Sequence, residues 1–392
     1  MAILAVNAGS STLKFSVYPL LHGQVQASLL SGCIEGLEPA GIPMLSWTVG
    51  GRRQQRQIEL GAEQRFAAAL ECLKDLLEAE NSIPALAAVA HRVVHGGHET
   101  HAGLLVTEAL LDYLAEFNAL APLHQPHNLQ GIRAFSQAFP GLPQVACFDN
   151  AFHASMTEVD YSFALPQSLT DQGMRRYGFH GLSYQYVISA LQQRSKQADG
   201  RVLMAHLGNG ASLCAARHGR SCATTMGFST LDGLMMGTRS GSIDAGLLLY
   251  LMSQGWDHQR LQTLLYRQSG LLGVSGLSAD MRRLRSDGSP AARKAIDLFT
   301  HRILHESGAL IACLGGLDLL AFTGGIGEHD ALLRADLCAS LDWLGVKLDA
   351  TLNQQACGSE AMTIHRQDSL VQVWVIPTDE GSVAARLAAA LL

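Results

Sequence analysis

Two arginines, an aspartate and a histidine sit in this sequence where they could handle small anions. Arg92 lies in His91-Arg92-Val93-Val94-His95-Gly96-Gly97, just after a run of buried-strand residues. Arg239 lies between small residues in Met235-Met236-Gly237-Thr238-Arg239-Ser240-Gly241. A guanidinium offers a planar fork of donors that suits a carboxylate or a transferring phosphoryl group. Asp149 ends the strand-forming run Val145-Ala146-Cys147-Phe148, the position where open α/β sheets hold ligands. It reads equally as the N-cap of a helix opening at Ala151. His180 stands between glycines and beside two aromatics in Tyr177-Gly178-Phe179-His180-Gly181, which suits a ligand contact in a tight loop.

Three glycine turns supply candidate phosphate grips. Residues 3–14 run from an apolar strand into Asn7-Ala8-Gly9-Ser10-Ser11-Thr12-Leu13-Lys14. Gly9 permits close backbone approach, the hydroxyls donate, and Lys14 adds a compact positive charge. Taken alone, the segment also fits an ordinary hairpin. The design recurs: His206-Leu207-Gly208-Asn209-Gly210-Ala211-Ser212-Leu213 aligns Gly208 with Ala8 at an offset of 200 (208 minus 8). A third strand, 317–323, runs into Gly324-Gly325-Ile326-Gly327-Glu328 and a helical stretch, an order that favours nucleotide contact.

Composition narrows the class. A chain of 392 residues exceeds what one hydrophobic core usually serves, so two domains are expected. The net charge of −6 and the lack of a dense Lys/Arg block argue against nucleic-acid binding. The eight cysteines form no Cys-x-x-Cys pair, and the first residues lack the flank and apolar run of a signal peptide, so a cytoplasmic location is expected. No apolar run reaches membrane-spanning length, since 309–322 is broken by Gly315, Gly316 and Asp318. Histidines 91, 95, 98 and 101 suggest zinc, but Gly96-Gly97 breaks the helix that such spacing needs and no cysteine or carboxylate completes a set.

The elements that must carry these residues alternate. Periodicity predicts strands near 2–7, 13–18, 24–34 and 86–90 and one ending at Asp149, with helices over 62–80, from Thr107, and after the loop 122–126. The second half predicts helices over 182–195, 241–268, 290–314 and 328–340, strands over 201–207, 211–216, 317–323 and 371–376, and a last helix from Glu380. The expected architecture is α/β: two lobes like those of actin and sugar kinases, with duplicated phosphate-binding hairpins and a nucleotide cleft between them. The first lobe spans 1–150, with 380–392 packing back on it; the nucleotide-binding lobe spans 151–379.

The chain resembles the acetokinase family of carboxylate kinases, which includes acetate, propionate and butyrate kinases. The resemblance runs from Asn7-Ala8-Gly9-Ser10-Ser11 to Ile376-Pro377-Thr378-Asp379-Glu380. The four segments beginning at His91, Arg176, His206 and Gly233 are its most specific parts. It implies ATP plus acetate giving acetyl phosphate plus ADP, reversibly, with magnesium (or manganese), in a homodimer. By position it gives Arg92 and Arg239 to the carboxylate and the transferring phosphoryl group, His180 to the transition state, Asp149 to the active site, and Asn7 and Glu380 to the metal. Lys14 and His206, Leu207, Gly208, Asn209 and Gly210 match phosphate contacts. Asp280, Met281 and Arg282, with Gly325, Ile326, Gly327, Glu328 and His329, match the segments around adenosine.

Val94, Leu123, Phe179 and Thr230 match the pocket for the substrate alkyl group. Here the chain departs from the pattern: Ser229-Thr230-Leu231-Asp232 stands for Thr-Pro-Leu-Glu, so Thr230 replaces a pocket proline. Asn150 replaces a threonine, Leu182 and Tyr184 replace a Thr and a His, and Ser242 and Ala245 replace an Asp and a Pro. Acetate is the expected acceptor and propionate the alternative. A kinase acting on hydroxyl groups, with Asp149 as base, and a non-catalytic ATP switch are the rival readings.

Overall fold

The computed structural model describes residues 1–9, 11–38, 41–59, 65–122 and 124–392. The chain forms two compact units, Met1–Ala151 with Asp379–Leu392, and Phe152–Thr378.

The first unit is built on a mixed sheet. Its strands are β1 (Ala2–Ala8), β2 (Thr12–Leu21), β3 (Gln24–Val25), β4 (Leu30–Glu35), β5 (Met44–Val49), β6 (Arg52–Gln57), β7 (Leu86–Val93), β8 (Gly103–Leu105) and β9 (Gln144–Phe148). Their order is β6-β5-β4-β2-β1-β7-β9-β8, with β3 paired to β2. β1 runs antiparallel to β2 and parallel to β7, which is parallel to β9. β1 is almost wholly apolar and buried along its length, as a strand covered on both faces must be. The outermost strand β6, Arg-Arg-Gln-Gln-Arg-Gln, is exposed throughout; its charge discourages pairing with another chain.

The second unit carries β10 (Arg201–Leu207), β11 (Ala211–Arg217), β12 (Arg220–Thr224), β13 (Leu319–Thr323), β14 (Met362–Thr363) and β15 (Gln372–Val375), ordered β12-β11-β10-β13-β15-β14. β10 pairs antiparallel with β11 and parallel with β13, and β13 pairs parallel with β15. Strand for strand this repeats β4-β2-β1-β7-β9-β8, including the antiparallel edge strand. The duplication seen in two glycine turns therefore extends to six strands. The offset of 200 does not survive register pairing. Asn7 opposes Lys14 and His206 opposes Ser212, so the offset is 199 before the turn (206 minus 7) and 198 after it (212 minus 14), because the second turn is one residue shorter.

Capping explains where helices begin and end. The helix Pro290–Leu314 starts at Ser289, whose hydroxyl accepts from the Ala292 amide at 3.2 Å, and stops at Gly315 with φ 70°, matching the predicted 290–314. The predicted helix 241–268 is instead two, Ala245–Ser253 and His258–Arg267. Gly255 adopts φ 84° between them, and Asp257 caps the second. The predicted 328–340 likewise divides into Gly324–His329 and Ala331–Ser340, the latter capped by Asp330. The predicted strand 24–34 is β3 and β4, and the hairpin β5–β6 around Gly50-Gly51 was not expected. The predicted helix 62–80 is described as Arg65–Ala79; its first residues lie outside the described residues. No helix among the described residues is long and apolar enough to cross a membrane.

Candidate active site

In the first unit, parallel strands β7 and β9 end side by side and bring Arg92 to Asp149. Arg92 donates from Nε and Nη2 to Asp149 Oδ2 at 3.0 and 2.6 Å, and its Nε lies 3.3 Å from Glu380 Oε2. Asp149 is 1% exposed at its side chain, Arg92 21% and Glu380 22%. Burial would weaken the Arg92 cation, but Asp149 and Glu380 outweigh it and hold the guanidinium pKa above its usual value. Asp149, left open between ligand-facing residue and helix cap, thus spends its carboxylate on Arg92.

Glu380 reaches this place because the helix Glu380–Ala389 packs on β1 and β7. Tyr18 in β2 donates to Asp379 Oδ1 at 2.5 Å, and the same oxygen accepts from the Ser382 amide. That fixes the start of the helix. Asn128 links the end of β1 to the Arg92 loop: it donates to the Ala8 carbonyl at 2.8 Å and accepts from the Val94 amide at 3.1 Å. Asn150 braces Gly96-Gly97 from both sides, accepting from the Gly96 amide at 2.8 Å and donating to the Gly97 carbonyl at 3.0 Å. Tyr18 and Asn128 were not singled out in the sequence, since a single polar residue carries no periodic signal, and Asn150 stood out there only as the replacement of a threonine. His91 and His95 are structural. His91 Nε2 lies 2.7 Å from Gln144 Oε1, and burial lowers its pKa to about 4. His95 stacks on Phe117 and accepts from the Gly97 amide. Among the described residues no group of three or more His, Cys, Asp or Glu is arranged to hold a metal ion.

Asn7 is partly buried near the end of β1 and pairs in register with exposed Lys14. Val94 and Phe179 are buried, at 6% and 1% exposure. Leu123 and Ser10 lie outside the described residues.

In the second unit, β10 and β11 form the hairpin whose turn is Gly208-Asn209-Gly210, closed by Gly208 N–H donating to the Gly210 carbonyl at 3.0 Å. His180 lies against it: a Cβ on Gly210 would come within 3.4 Å of His180 Nε2. His180 adopts φ 59° and ψ 25°, a left-handed conformation that costs a non-glycine residue about 1–3 kcal/mol and gathers at functional sites. It is held there by packing. Its ring stacks on His206 at 4.3 Å, its Nδ1 lies 2.9 Å from Ser212 Oγ, and the preceding carbonyl, of Phe179, accepts from His153 Nε2 at 3.0 Å.

Arg239 sits in a strap, 225–242, anchored at several points. Arg239 Nη1 donates to the Thr230 carbonyl at 2.9 Å. Arg176 Nη1 donates to the Thr225 and Met226 carbonyls at 3.0 Å each and lies 3.3 Å from Asp232 Oδ2. Ser242 donates to Asp232 Oδ1 at 2.6 Å. The strap touches the phosphate turn, because the Gly237 amide donates to the Asn209 carbonyl at 3.0 Å and a side chain at Gly237 would collide with Asn209. Thr230 is 5% exposed, and its hydroxyl is buried with no hydrogen-bond partner.

Just beyond the two segments matched to adenosine, an ion pair links their elements, Arg285 Nε to Asp330 Oδ2 at 3.1 Å. Within them several side chains are already engaged. Asp280 caps its own helix and pairs with Arg282 at 2.8 Å, which lowers its pKa. Glu328 accepts from the Gly324 and Thr378 amides at 2.8 and 3.2 Å. Gly325 is open, with nothing within 4 Å of where its Cβ would stand.

A family model described as the acetokinase family matches residues 2–386. The acetate kinase of Rhodopseudomonas palustris is 47% identical over 390 residues, covering 98% of this chain and 96% of that protein. That of Nitrobacter hamburgensis is 43% identical over 393 residues, covering 100% and 96%. Among solved structures, a propionate kinase from Francisella tularensis aligns with a TM-score of 0.89 at 36% identity, covering 98% of both chains. Porphyromonas gingivalis acetate kinase aligns at 0.84 and 34%, again over 98% of both. The chain belongs to the acetokinase family. It is a phosphotransferase of the carboxylate-directed kind, on the two-lobed fold that its duplicated sheets display.

Proposed function

We propose that this enzyme transfers the terminal phosphoryl group of ATP reversibly to acetate, forming acetyl phosphate and ADP. The observation that carries the reading is the Arg92–Asp149 pair. A kinase acting on a hydroxyl needs a free base, whereas a carboxylic acid with a pKa near 4 is already an anionic nucleophile at neutral pH. Asp149 is bound to Arg92 through two bonds, so it orients the guanidinium and removes no proton. A carboxylate oxygen forms the new P–O bond as the bond to the ADP oxygen breaks, and Arg92, Arg239 and His180 offset the repulsion between the two anions.

Asn7 and Glu380 offer the oxygen donors a hard cation takes, and magnesium typically binds one or two protein oxygens and otherwise water and phosphates. Arg92, Asp149 and Glu380 together carry a net charge of −1, which by itself repels a second carboxylate. Asn7 and Glu380 would hold the magnesium ion, which would supply the missing positive charge at the phosphates. Lys14 and the Gly208–Gly210 turn serve the phosphates, and the 280–282 and 325–329 segments the adenosine. Val94, Leu123, Phe179 and Thr230 are the residues that the family resemblance matches to contact with the alkyl group, and propionate is the second acceptor.

The enzyme works as a cytoplasmic homodimer in this reading. Eight free thiols suit a reducing compartment. The helix Ala245–Ser253 buries none of its residues and exposes Leu247, Leu249, Tyr250 and Met252, an apolar face that a second copy would cover. Incubation with ATP, magnesium, hydroxylamine and a panel of acceptors tests the reaction, since only an acyl phosphate yields a hydroxamate. Transfer to glycerol or sugars exceeding transfer to acetate would overturn it.

A further inference from the structure

Behind His180 lies a short file of hydroxyl groups whose protons can be placed one by one. Tyr184, on the helix Gly181–Gln192, is 0% exposed, and its phenol lies 2.5 Å from Ser212 Oγ. Ser212 Oγ is the hydrogen-bond partner that the described residues offer the phenol. A buried phenol that accepted from Ser212 would leave its own proton unsatisfied, so that proton goes to Ser212 Oγ. Burial holds the phenol pKa well above its usual value, so that proton stays in place. Ser212, buried in β11, has one proton of its own. With Tyr184 donating to it, that proton has His180 Nδ1, 2.9 Å away, as its acceptor. The remaining ring proton must then sit on Nε2, the atom beside Gly210 in the phosphate turn.

We propose that Tyr184 and Ser212 are positioning residues that hold His180 as the neutral tautomer protonated at Nε2, so that it presents a fixed N–H donor to the Gly208–Gly210 turn. The relay runs Tyr184 to Ser212 to His180 Nδ1. Protonating Nδ1 as well would turn Ser212 into a double acceptor and strand its proton inside the sheet, which costs about 1–3 kcal/mol for a buried unsatisfied donor. His206 stacks on the His180 ring and accepts or donates at Nδ1 with Ser183 Oγ, 2.8 Å away, so it holds the ring plane while Ser212 sets the proton. The catalytic value of the arrangement rests on the function proposed above; the tautomer does not.

The test is two-bond ¹⁵N–¹H correlation spectroscopy of the full-length enzyme without substrate, with the His180 signals assigned from their loss in His180→Gln. The expected spectrum has a pyridine-type Nδ1 and a pyrrole-type Nε2. Tyr184→Phe removes only the phenol oxygen, leaves Ser212 free to turn, and should bring the two nitrogen shifts together. It should also lower kcat for hydroxamate formation about tenfold, the size of one well-placed hydrogen bond, with KM for ATP unchanged. Ser212→Ala should give the same averaged spectrum if Tyr184→Phe folds poorly. A wild-type Nδ1 of pyrrole type overturns the proposal, as does a Tyr184→Phe enzyme with lowered kcat and an unaltered His180 spectrum. If the wild-type tautomer is as expected but no acid is phosphorylated, the proposed reaction fails and the proton relay stands.

Discussion

In the first unit Arg92 is gripped by carboxylates, Asp149 at 2.6 Å and Glu380 at 3.3 Å, whereas in the second Arg239 donates to a neutral carbonyl, that of Thr230 at 2.9 Å. Carboxylate partners fix a guanidinium firmly but cancel its charge. A carbonyl leaves more of the charge available and does less to fix it. The second unit makes up the rigidity elsewhere, through Arg176, Asp232 and Ser242, which hold the strap rather than the arginine. The hairpins differ in the same sense: Asn7 opposite Lys14 in the first, His206 opposite Ser212 in the second. The first unit sets its arginine against counter-charges; the second sets Arg239 against a backbone dipole, in a strap that a separate ion pair braces.

The sharpest way to break this contrast is to remove each arginine. Truncating one partner of a desolvated pair costs about 2–5 kcal/mol, so Arg92→Ala and Arg239→Ala should each lower kcat by at least about a hundredfold. Their stabilities should diverge. Arg92→Ala strands the buried Asp149 carboxylate, a loss of about 3–5 kcal/mol, and should lower Tm by several degrees in a calorimeter. Arg239→Ala leaves no buried carboxylate of the kind Arg92 neutralises behind the Thr230 carbonyl, and should melt closer to wild type. Equal Tm losses would show that the two clamps are built alike.

Acid stability, by contrast, should be shared. Each unit holds a buried histidine, His91 in the first and His153 in the second, whose pKa burial lowers from 6.5 to about 4, against a smaller opposing effect of the hydrogen bond to Gln144 or Phe179. Above pH 6.5 both are neutral whether the chain is folded or not, and their contribution is intact. As pH falls from 6.5 to 4 the unfolded chain takes up protons that the folded one refuses, so stability drops, by up to about 3 kcal/mol per histidine. Below 4 the loss levels off. Urea titrations between pH 7 and 4 should show this slope, and His153→Gln should make it shallower; a variant with the full slope would clear His153.

A smaller effect tests the strap. Asp232→Ala removes the acceptor of Ser242 and the counter-charge of Arg176, and should lower kcat about tenfold, roughly 1.4 kcal/mol, with KM for ATP little changed. Asp232→Asn, which keeps an acceptor for Ser242, should fall between. If Asp232→Ala matches wild type in kcat, the strap does not need these anchors to hold Arg239.

Much of this was legible in the sequence. Apolar runs marked β1, β7, β10 and β13, and helical periodicity marked the long helix 290–314, because strand burial and apolar spacing are local signals. The glycine turns disclosed the duplication but misjudged its register, since a one-residue difference in turn length leaves no mark on residue type. The break at Gly255 was missed because apolar residues continue on both sides of it. The least legible residues were those acting over long sequence separations: Asn128 on Ala8, Tyr18 on Asp379, and the Ser212–Tyr184 pair. Each is one polar side chain whose meaning depends on a partner that only the folded chain supplies.

The smallest effect belongs to Thr230, whose backbone serves Arg239 while its side chain serves nothing within the chain. The hydroxyl is buried without a partner, a cost of about 1–3 kcal/mol. Valine has nearly the same shape and no hydroxyl, so Thr230→Val should stabilise the fold by about 1 kcal/mol, raising Tm by about 2–4 °C. The carbonyl that receives Arg239 is unchanged, so kcat with acetate should stay within about twofold of wild type. If the residue also walls the alkyl pocket, the more apolar wall should favour the longer acid. The propionate-to-acetate ratio of kcat/KM should then rise by a few-fold, within the roughly 1–3 kcal/mol that one methylene contributes in such a pocket. A higher Tm with an unchanged ratio would leave Thr230 as a strap residue alone and assign acid selection to Val94, Leu123 and Phe179. A lower Tm would mean that the hydroxyl has a partner in solution, and the contrast between a backbone that works and a side chain that does not would fall.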